Sequence, residues 1–511
     1  MCKIYKHHGV FYFLLVLLLF FKNAFSREVD DIELKVTQYI DKSWDLLTRK
    51  DWLQSSFDPK LSVDELIVYL PPGENLKEVE TKNPKTANHV KFAYLSKDAV
   101  RVKKHGLLYL PYPYVVPGGR FNEMYAWDSF FIELGLLENK RFSLARNMVD
   151  NLIYEVINYG MILNANRTYY LGRTQPPLLT EMILAYYGKV PDKDWLKSTL
   201  PAIEKTYCLW TTAPHAIPHI GLSRYYSGGE GRTPEESPLY YQKVLNYFKT
   251  HEVSDYDKKL FYDGTKNRLT NYFFIADRTI RESGFDITAK YGPFGAGILD
   301  YAPVDLNVLL YQMECDIKKI HELLGSNKEA SKWQMRAQRR ADNINRYLWD
   351  EATGYYLDYN FKKKKRKHYP FATTFYPLWA GIASKAQAAA VVKHLPDLLM
   401  KGGIVTSTND SGLQWDAPFG WAPLQYFAAI GLEKYGYEQY AMEVAAKFIN
   451  TVNRGFEKDQ AIFEKYDVHA INTQTDNKIK YSYNTNEIGF GWTNGVYLIL
   501  SKYLKKHCEV C

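Results

Sequence analysis

The chain has 511 residues, of which 46% are hydrophobic and 24% are charged, and its formal net charge is +8. This composition is ordinary for a soluble globular protein, and so small a charge excess does not indicate a nucleic-acid-binding protein. The run of basic residues at 362–367 is interpreted as a solvated turn rather than a polyanion patch. Aromatic residues reach 15%, which suits surfaces that stack against flat apolar faces.

The first 26 residues have the features of a targeting segment. Lys3 and Lys6 give a positive start, residues 10–21 are an unbroken apolar run, and residues 24–26 offer small side chains for cleavage. This pattern predicts a secretory signal peptide over residues 1–26, with an uncleaved anchor as the alternative. Cleavage would leave an exported protein, periplasmic or extracellular. It would carry no stable membrane span, because no second apolar stretch approaches the necessary length.

Helical periodicity dominates the rest of the chain. Apolar residues recur at helical spacing over residues 149–157 and again over 333–348, whereas alternating strand patterns are scarce. Long loops marked by glycine and proline lie between the helices, at residues 111–119, 226–238 and 402–423. Loops of this length in a compact domain are usually functional. The sequence therefore predicts a single, mostly helical domain over residues 27–511 whose site is built by the inter-helix loops.

Several of these loops combine charged and aromatic side chains. The segment "PGGRFNEMYAWDSFF" at residues 117–131 places Arg120 and Asp128 among five aromatic rings. A hexose lays its C–H face on an aromatic ring, and its hydroxyls take charge-assisted hydrogen bonds from arginine, asparagine and carboxylate groups. This combination of side chains favours a carbohydrate site, although other ligands also bind to such groups.

Splitting a glycosidic bond needs two carboxyl groups, one that donates a proton and one that activates water or attacks the sugar. Two acids are distinguished by their local setting. Asp286 follows "SGF", a tight turn with an apolar ring that would raise the pKa of a carboxyl group. Glu464 follows an isoleucine and a phenylalanine and precedes Lys465.

The motifs of this chain resemble those of the trehalase family of glycoside hydrolases over roughly residues 35–505. The matching segments, in the family's order, are "PGGRFNEMYAWDSFF", "GRTQPP", "ESGFDIT", "APVDLNVLLY", "QWDAPFGWAP", "FEKYD" and "GFGWTNGV". Several independent motifs in one order make this resemblance specific. It implies an all-α fold, an (α/α)6 toroid barrel with long inter-helix loops that form the active site. It also implies hydrolysis of a small disaccharide, α,α-trehalose, to two glucose molecules with inversion, without metal or organic cofactor.

Carried over position by position, the resemblance implies a role for each matched residue. Asp286 would be the general acid and Glu464 the general base that activates water. The essential arginines would be Arg120, Arg173 and Arg232. The segment "GRTPEES" is one residue longer than the family's P-R-P-E-S, so that either of two glutamates would contact the sugar. The substrate-binding residues would be Phe121, Trp127, Asp128, Asn164, Thr174, Gln175, Gly284 and Trp415, with Glu235 or Glu236.

Plain structural roles are the alternatives for these residues. Asp128 could cap the helix that follows it, Asp286 could cap a turn, and Glu464 could pair with Lys465. Arg173 and Arg232 could be ordinary surface charges, and Trp415 and Trp421 could belong to the core. The matching motifs in order favour the functional roles.

One segment departs from the family's pattern. The family carries a glycine-rich stretch with a glutamate after "FEKYD", but this chain has bulky and charged residues there, and Tyr483 stands at the place of the glutamate. Glycine-rich segments can close over a substrate. We therefore expect a more permissive site, with a higher KM for trehalose and cleavage of other α-glucosides. Two alternatives stay open, a hydrolase of a related α-glucoside on the same barrel and a sugar-binding relative with weak catalysis.

Overall fold

The computed structural model describes residues 31–61, 65–82, 90–96, 102–475, 478–480 and 485–508. The segment predicted to be a signal peptide and Tyr483 lie outside these residues. Helices dominate, as predicted. In chain order they are α1 (31–47), α2 (Trp52–Ser56), α3 (Leu76–Lys82), α4 (Ala126–Glu138), α5 (Phe142–Tyr159), α6 (Leu179–Lys189), α7 (Lys193–Ser198), α8 (Leu200–Thr211), α9 (Pro238–Thr250), α10 (Lys258–Phe261), α11 (Asn271–Glu282), α12 (Val304–Leu323), α13 (Asn327–Tyr347), α14 (Tyr376–Ala380), α15 (Lys385–Lys393), α16 (Leu395–Leu398), α17 (Ala422–Lys434), α18 (Glu438–Asp459) and α19 (Gly491–Cys508).

Strands are short and pair locally. They are β1 (Thr48–Arg49), β2 (Ile67–Leu70), β3 (Lys91–Tyr94), β4 (Leu107–Leu108), β5 (Tyr114–Val115), β6 (Ala216–Ile217), β7 (Leu222–Ser223), β8 (Tyr262–Asp263), β9 (Arg268–Leu269), β10 (Tyr301–Ala302), β11 (Trp349–Asp350), β12 (Tyr355–Tyr356), β13 (Tyr359–Asn360), β14 (Lys365–Arg366), β15 (Leu399–Met400), β16 (Gly403–Ile404), β17 (Phe419–Trp421) and β18 (Lys465–Asp467). The order β3-β2-β4 is parallel, and β10-β13-β14 is antiparallel. The remaining strands form antiparallel pairs, β1 with β5, β6 with β7, β8 with β9, β11 with β12, β15 with β16 and β17 with β18.

Six helices form a closed ring. Around it, α4 packs against α6, α6 against α12, α12 against α14, α14 against α17, α17 against α19, and α19 against α4. Nearly every residue of α4 is buried, as expected for a helix that neighbours enclose on all sides. The ring has the layout of the inner layer of an (α/α)6 barrel, which confirms the predicted fold class.

A second layer of helices covers the ring from outside. α5 packs on α4 and α6, α8 on α12, α13 on α12, and α18 on α17 and α19. These helices are apolar on one face only. In α13, for example, Trp333, Ala337 and Ile344 are buried while Met335 and Arg336 are exposed. The two periodic runs predicted from the sequence lie in α5 and α13, because only such half-buried helices show a clear period.

The ring closes where α4 and α19 cross at Gly135 and Gly495. A Cβ atom on Gly495 would lie 1.9 Å from the carbonyl oxygen of Phe131, and one on Gly135 would lie 2.8 Å from the Cα of Gly495. Neither position has room for a side chain, so these two glycines allow the backbones of the first and last ring helices to touch.

The basic run at residues 362–367 forms the turn and the second strand of the β13–β14 hairpin. Some of its charges are paired with acids on other segments. Lys362 Nζ lies 2.7 Å from Asp300, and Lys367 also forms an ion pair, with Asp255. The geometry agrees with a turn that lies at the surface. In the part of the chain described here, no helix is both long and apolar enough to cross a bilayer.

Candidate active site

The loops that lead into α4, α6, α12, α17 and α19 surround a cavity of about 180 Å³. Most of the predicted site residues line this cavity. They are Arg120, Phe121, Trp127, Asp128, Asn164, Arg173, Gln175, Glu235, Glu236, Gly284, Asp286, Trp415 and Glu464. Segments far apart in the sequence thus meet at the end of the ring where its helices begin.

Two predicted residues do not line the cavity. Thr174 is buried behind its neighbours, where its backbone N–H lies 3.4 Å from Glu282 Oε1. Arg232 is exposed, and its carbonyl oxygen accepts a hydrogen bond from Arg278. In the "GRTPEES" loop, Glu235 and Glu236 line the cavity, whereas Arg232 is exposed to solvent.

Other residues line the cavity although the sequence did not single them out as site residues. They are Lys60, Pro117, Tyr125, Tyr170, Arg281, Trp421, Phe490 and Trp492. Trp421, Phe490 and Trp492 lie inside the motifs "QWDAPFGWAP" and "GFGWTNGV", so their motifs were a usable signal. Arg281 directly precedes "ESGFDIT" at the end of α11, and a lone arginine on a helix gives no such signal.

Aromatic rings form a continuous apolar wall in the cavity. Trp415 and Trp421 stack in parallel, with ring centroids 3.9 Å apart. Trp127 meets Trp492 and Phe285 edge to face at 5.7 and 5.9 Å. Rings packed against one another in this way hold their faces in fixed orientations. A ligand with a flat C–H face requires such a fixed apolar surface.

Gly284 is fixed by the same wall. Its φ is +79°, and a Cβ atom would lie 3.0 Å from Trp127 Cε2. We expect Gly284→Ala to destabilise the fold by about 1–3 kcal/mol, because an L side chain is strained at this φ and displaces the indole. Thermal unfolding and near-ultraviolet circular dichroism would measure this change.

Gly172 provides the control for that substitution, since a Cβ atom there would contact nothing within 4 Å and its φ is not positive. We expect Gly172→Ala to leave the unfolding temperature and the tryptophan signal nearly unchanged. If both variants lose stability equally, the contact with Trp127 is not the reason that position 284 is glycine.

Asp286 is held at the cavity by its own backbone. Its carbonyl oxygen accepts a hydrogen bond from the side-chain amide of Gln414. Its side chain is 33% exposed, towards the cavity that it lines, and Arg281 Nη1 lies 4.0 Å from the carboxylate. Burial raises the pKa of Asp286 to about 7, although the charge of Arg281 acts in the opposite direction. Asp286 can therefore keep a proton near neutral pH and donate it.

Glu464 is held from three sides. Its carboxylate Oε2 lies 2.7 Å from Nζ of the buried Lys465. Its carbonyl oxygen accepts a hydrogen bond from the indole N–H of Trp492 at 2.9 Å, and its N–H donates to the carbonyl oxygen of Glu487 at 2.8 Å. Glu464 therefore pairs with Lys465 and lines the cavity at the same time, so the two roles are not alternatives.

Asp128 is the third carboxyl group of the cavity and does not cap the helix. α4 begins at Ala126 with Tyr125 as its N-cap, so Asp128 lies inside the first turn. Burial first, and then the negative charges of Glu464 and Asp286, raise the pKa of Asp128 well above its usual value. All three carboxyl groups line the same cavity.

Three arginines at the cavity are paired with carboxylates. Arg173 bonds to Glu235, and Arg281 Nη2 lies 2.8 Å from Glu236. Arg120 Nε lies 2.7 Å from Glu487. The structure thus places both Glu235 and Glu236 at the cavity, each with its own arginine.

The charge of Glu235 follows from this pairing. Burial would raise the pKa of Glu235, but the positive charges of Arg173 and Arg281 lower it below its usual value. An ionised Glu235 and its fixed arginine together offer both acceptors and donors to a polyhydroxylated ligand.

The segment that replaces the family's glycine-rich stretch is described only in part. Within residues 478–480, the N–H of Lys480 donates to the carbonyl oxygen of Gly412 at 2.8 Å. Lys478 pairs with the buried Asp467. These contacts attach the segment to the loop that leads into α17 and to β18.

Comparison with known proteins adds to this geometry. A family model described as Trehalase matches residues 22–505. The cytosolic neutral trehalase of Saccharomyces cerevisiae is 41% identical over 436 residues, which cover 78% of this chain and 58% of that protein. The cytosolic neutral trehalase of Kluyveromyces lactis is 37% identical over 486 residues, covering 88% of this chain and 63% of that protein. The chain therefore spans about three fifths of the length of these curated relatives.

Two solved structures show the same architecture. Neutral trehalase Nth1 from Saccharomyces cerevisiae superposes with a TM-score of 0.79 at 34% identity, covering 94% of this chain and 95% of that one. The GH63 mannosylglycerate hydrolase from Thermus thermophilus gives a TM-score of 0.53 at 17% identity, covering 76% and 95%. The second likeness concerns the fold alone.

The comparisons also correct the predicted location. Relatives from several fungi are named cytosolic neutral trehalases, so the prediction of a signal peptide and an exported, periplasmic or extracellular protein is wrong. The physical reason is that an apolar run behind two lysines reports only an affinity for an apolar phase, and composition does not identify a compartment. The family match covers almost the entire chain, and the chain belongs to the trehalase family.

Proposed function

We propose that this protein hydrolyses α,α-trehalose to two glucose molecules. The observation that carries the proposal is that Asp286 and Glu464 line one cavity together with an aromatic wall and three paired arginines. A glycosidase needs two carboxyl groups, and a disaccharide needs rings and charged hydrogen-bonding groups around them. Like the relatives named cytosolic, it would act in the cytosol, and residues 27–511 would act as a single catalytic domain.

In the proposed mechanism, Asp286 is the general acid. Its raised pKa of about 7 supports a carboxyl group that is still protonated near neutral pH and gives its proton to the glycosidic oxygen. Glu464 is the general base and takes a proton from the attacking water. Lys465, 2.7 Å from Oε2, orients that carboxylate.

The remaining residues of the cavity bind the two glucose units. Trp127 and Trp415 would offer ring faces, and Asn164 and Gln175 would offer amide groups. Arg120, Arg173 and Arg281, with their paired glutamates, would hold the hydroxyls in fixed directions. Since Arg232 is exposed, Arg281 takes its place in this proposal as the third arginine.

Glucose release from a panel of disaccharides tests the function. We expect trehalose to be the preferred substrate. If another α-glucoside is cleaved with a higher kcat/KM than trehalose, the alternative of a related α-glucosidase is correct. The altered segment beside the site is the observation that supports keeping this alternative. If no disaccharide is hydrolysed but sugars bind, the protein is a binding relative.

The stereochemistry of the products tests the roles of the two acids. An inverting enzyme leaves room for water between its carboxyl groups. We therefore expect each trehalose to give one β-glucose and one α-glucose at first, as recorded by proton NMR in the first minutes of the reaction. Two α-glucose molecules at early times would mean that Glu464 attacks the sugar directly, contrary to its proposed role as a base.

A further inference from the structure

A second cavity, of about 320 Å³, lies away from the first and shares no lining residue with it. It is lined by α8, α12, α13 and the β6–β7 hairpin. The charged and aromatic residues of its lining are Tyr207, Glu314, Arg336, Arg339 and Arg340. Three arginines against a single glutamate leave a formal excess of two positive charges.

The two outer arginines are available to a ligand. Arg336 and Arg339 are exposed, and within the described residues no carboxylate forms an ion pair with either of them. The guanidinium of Arg336 lies over the ring of Trp333, 4.3 Å from its centroid. This stacking fixes the plane of the guanidinium and leaves its N–H groups free to point outward from the ring edge.

The inner arginine, Arg340, is buried and only partly satisfied. Its Nε donates to Glu314 Oε1 at 2.9 Å, whereas its buried Nη1 has no hydrogen-bond partner. The whole residue is 6% exposed. A buried charged donor without an acceptor is costly, so an anion in the cavity would satisfy Arg340 where the protein does not.

Glu314 lacks a hydrogen-bond donor at Oε2, whereas Arg340 lacks an acceptor at Nη1. Its Oε1 accepts hydrogen bonds from the hydroxyl of Tyr207 at 2.7 Å and from Arg340, while its buried Oε2 has no partner. This oxygen would repel an anion and needs a donor. The cavity therefore suits a ligand that places an anionic group at the arginines and a hydroxyl group at Glu314.

We propose that this second cavity binds a phosphate monoester of a small polyhydroxylated molecule. A phosphate group suits guanidinium forks, and its two negative charges match the excess of two. At about 320 Å³ the cavity is larger than phosphate alone requires. Ile217 and Leu222 of the hairpin provide an apolar wall for the C–H face of the ligand.

Calorimetric titration of the full chain with glucose 6-phosphate, inorganic phosphate and glucose tests this proposal. We expect glucose 6-phosphate to bind more tightly than inorganic phosphate, because only the ester supplies both groups. We expect the double variant Arg336→Gln, Arg339→Gln to bind glucose 6-phosphate at least tenfold more weakly. Both positions are exposed, and an unchanged unfolding temperature without ligand would show that the variant folds.

A matched control removes two charges from the same helix away from the cavity. Lys328 and Arg346 lie in α13 and do not line the cavity, so Lys328→Gln, Arg346→Gln should keep the wild-type affinity. Glucose that binds equally to all three proteins occupies the first cavity. Equal affinity of glucose 6-phosphate for the wild type and the Arg336, Arg339 variant would overturn the proposal, as would equal affinity for ester and inorganic phosphate.

A phosphorylated lipid headgroup has the same chemistry, and a second arm separates the two sources. Vesicles of phosphatidylcholine with 5% phosphatidylinositol 4-phosphate are sedimented with the protein. The proposal expects the protein to stay in solution while the soluble ester binds. Co-sedimentation that the Arg336, Arg339 variant loses, without binding of the soluble ester, would overturn it in favour of a membrane surface.

Discussion

Asp286→Asn and Glu464→Gln are each expected to lower the kcat for trehalose by about 10²–10⁴-fold, the range that general acid–base groups contribute. The asparagine cannot donate a proton to the leaving oxygen, and the glutamine cannot take one from water. Both replacements keep the size of the side chain, so the aromatic wall and the arginines stay in place. Steady-state kinetics and calorimetric titration with trehalose would measure the change, and we expect the dissociation constant to stay within a fewfold.

The pH profile of the wild-type protein tests the proposed role of Asp286 as the general acid. Because the acid must be protonated and burial raises the pKa of Asp286 to about 7, kcat/KM should fall as the pH rises through that value.

The control for the Asp286 and Glu464 variants is Asp410→Asn, since Asp410 is exposed and does not line the cavity. Near wild-type turnover in either the Asp286 or the Glu464 variant would remove that residue from its role.

Arg281→Gln is expected to lower kcat/KM roughly 10- to 100-fold, from the ~1.5–3 kcal/mol that a hydrogen bond to a charged group contributes. The exposed Arg232 provides the matched comparison, and Arg232→Gln should change kcat/KM less than twofold. Arg281 is buried and lines the cavity, whereas Arg232 is exposed and does not line it. Steady-state kinetics on trehalose would measure both.

The pH profile distinguishes loss of a site contact from general damage. The charge of Arg281 lowers the pKa of Asp286, so without it the protonated form persists to higher pH and the basic limb of kcat/KM should move upward. Arg281→Lys keeps the charge and should keep the limb nearer its original position. A Gln variant that is well folded by circular dichroism but shows no upward shift would contradict the interaction across 4.0 Å.

The sequence predicts the outer layer of this fold better than the inner ring. In α13 the apolar residues recur on one face, so their spacing is visible. In α4 almost every residue is buried, which leaves no polar face and therefore no period. The ring itself is a set of contacts between segments far apart in the chain, and only the resemblance to a known family indicated it.

The site is predictable where a motif of fixed length contains the residue. Trp127, Asp286 and Glu464 lie in such motifs, and all three line the cavity. The prediction for Arg232 depended on a loop one residue longer than the family's, so the motif did not fix which of its side chains faces the cavity, and Arg232 is exposed. Arg281 could not be found from the sequence, because its place at the cavity arises from the packing of the end of α11 beside a distant loop.

The crossing of α4 and α19 has a consequence for how the protein folds. The ion pair between Lys502 and Glu138, at 2.6 Å, joins residues 364 positions apart, and Trp492 reaches the cavity from the same last ring helix. α19 is synthesised after the other five ring helices, so the apolar surfaces that pack against it are exposed to water until then. Contacts of such long range form slowly, and exposed seams aggregate. During synthesis the open ring therefore exposes apolar surface until the last helix docks, and the cavity is complete only once Trp492 is in place.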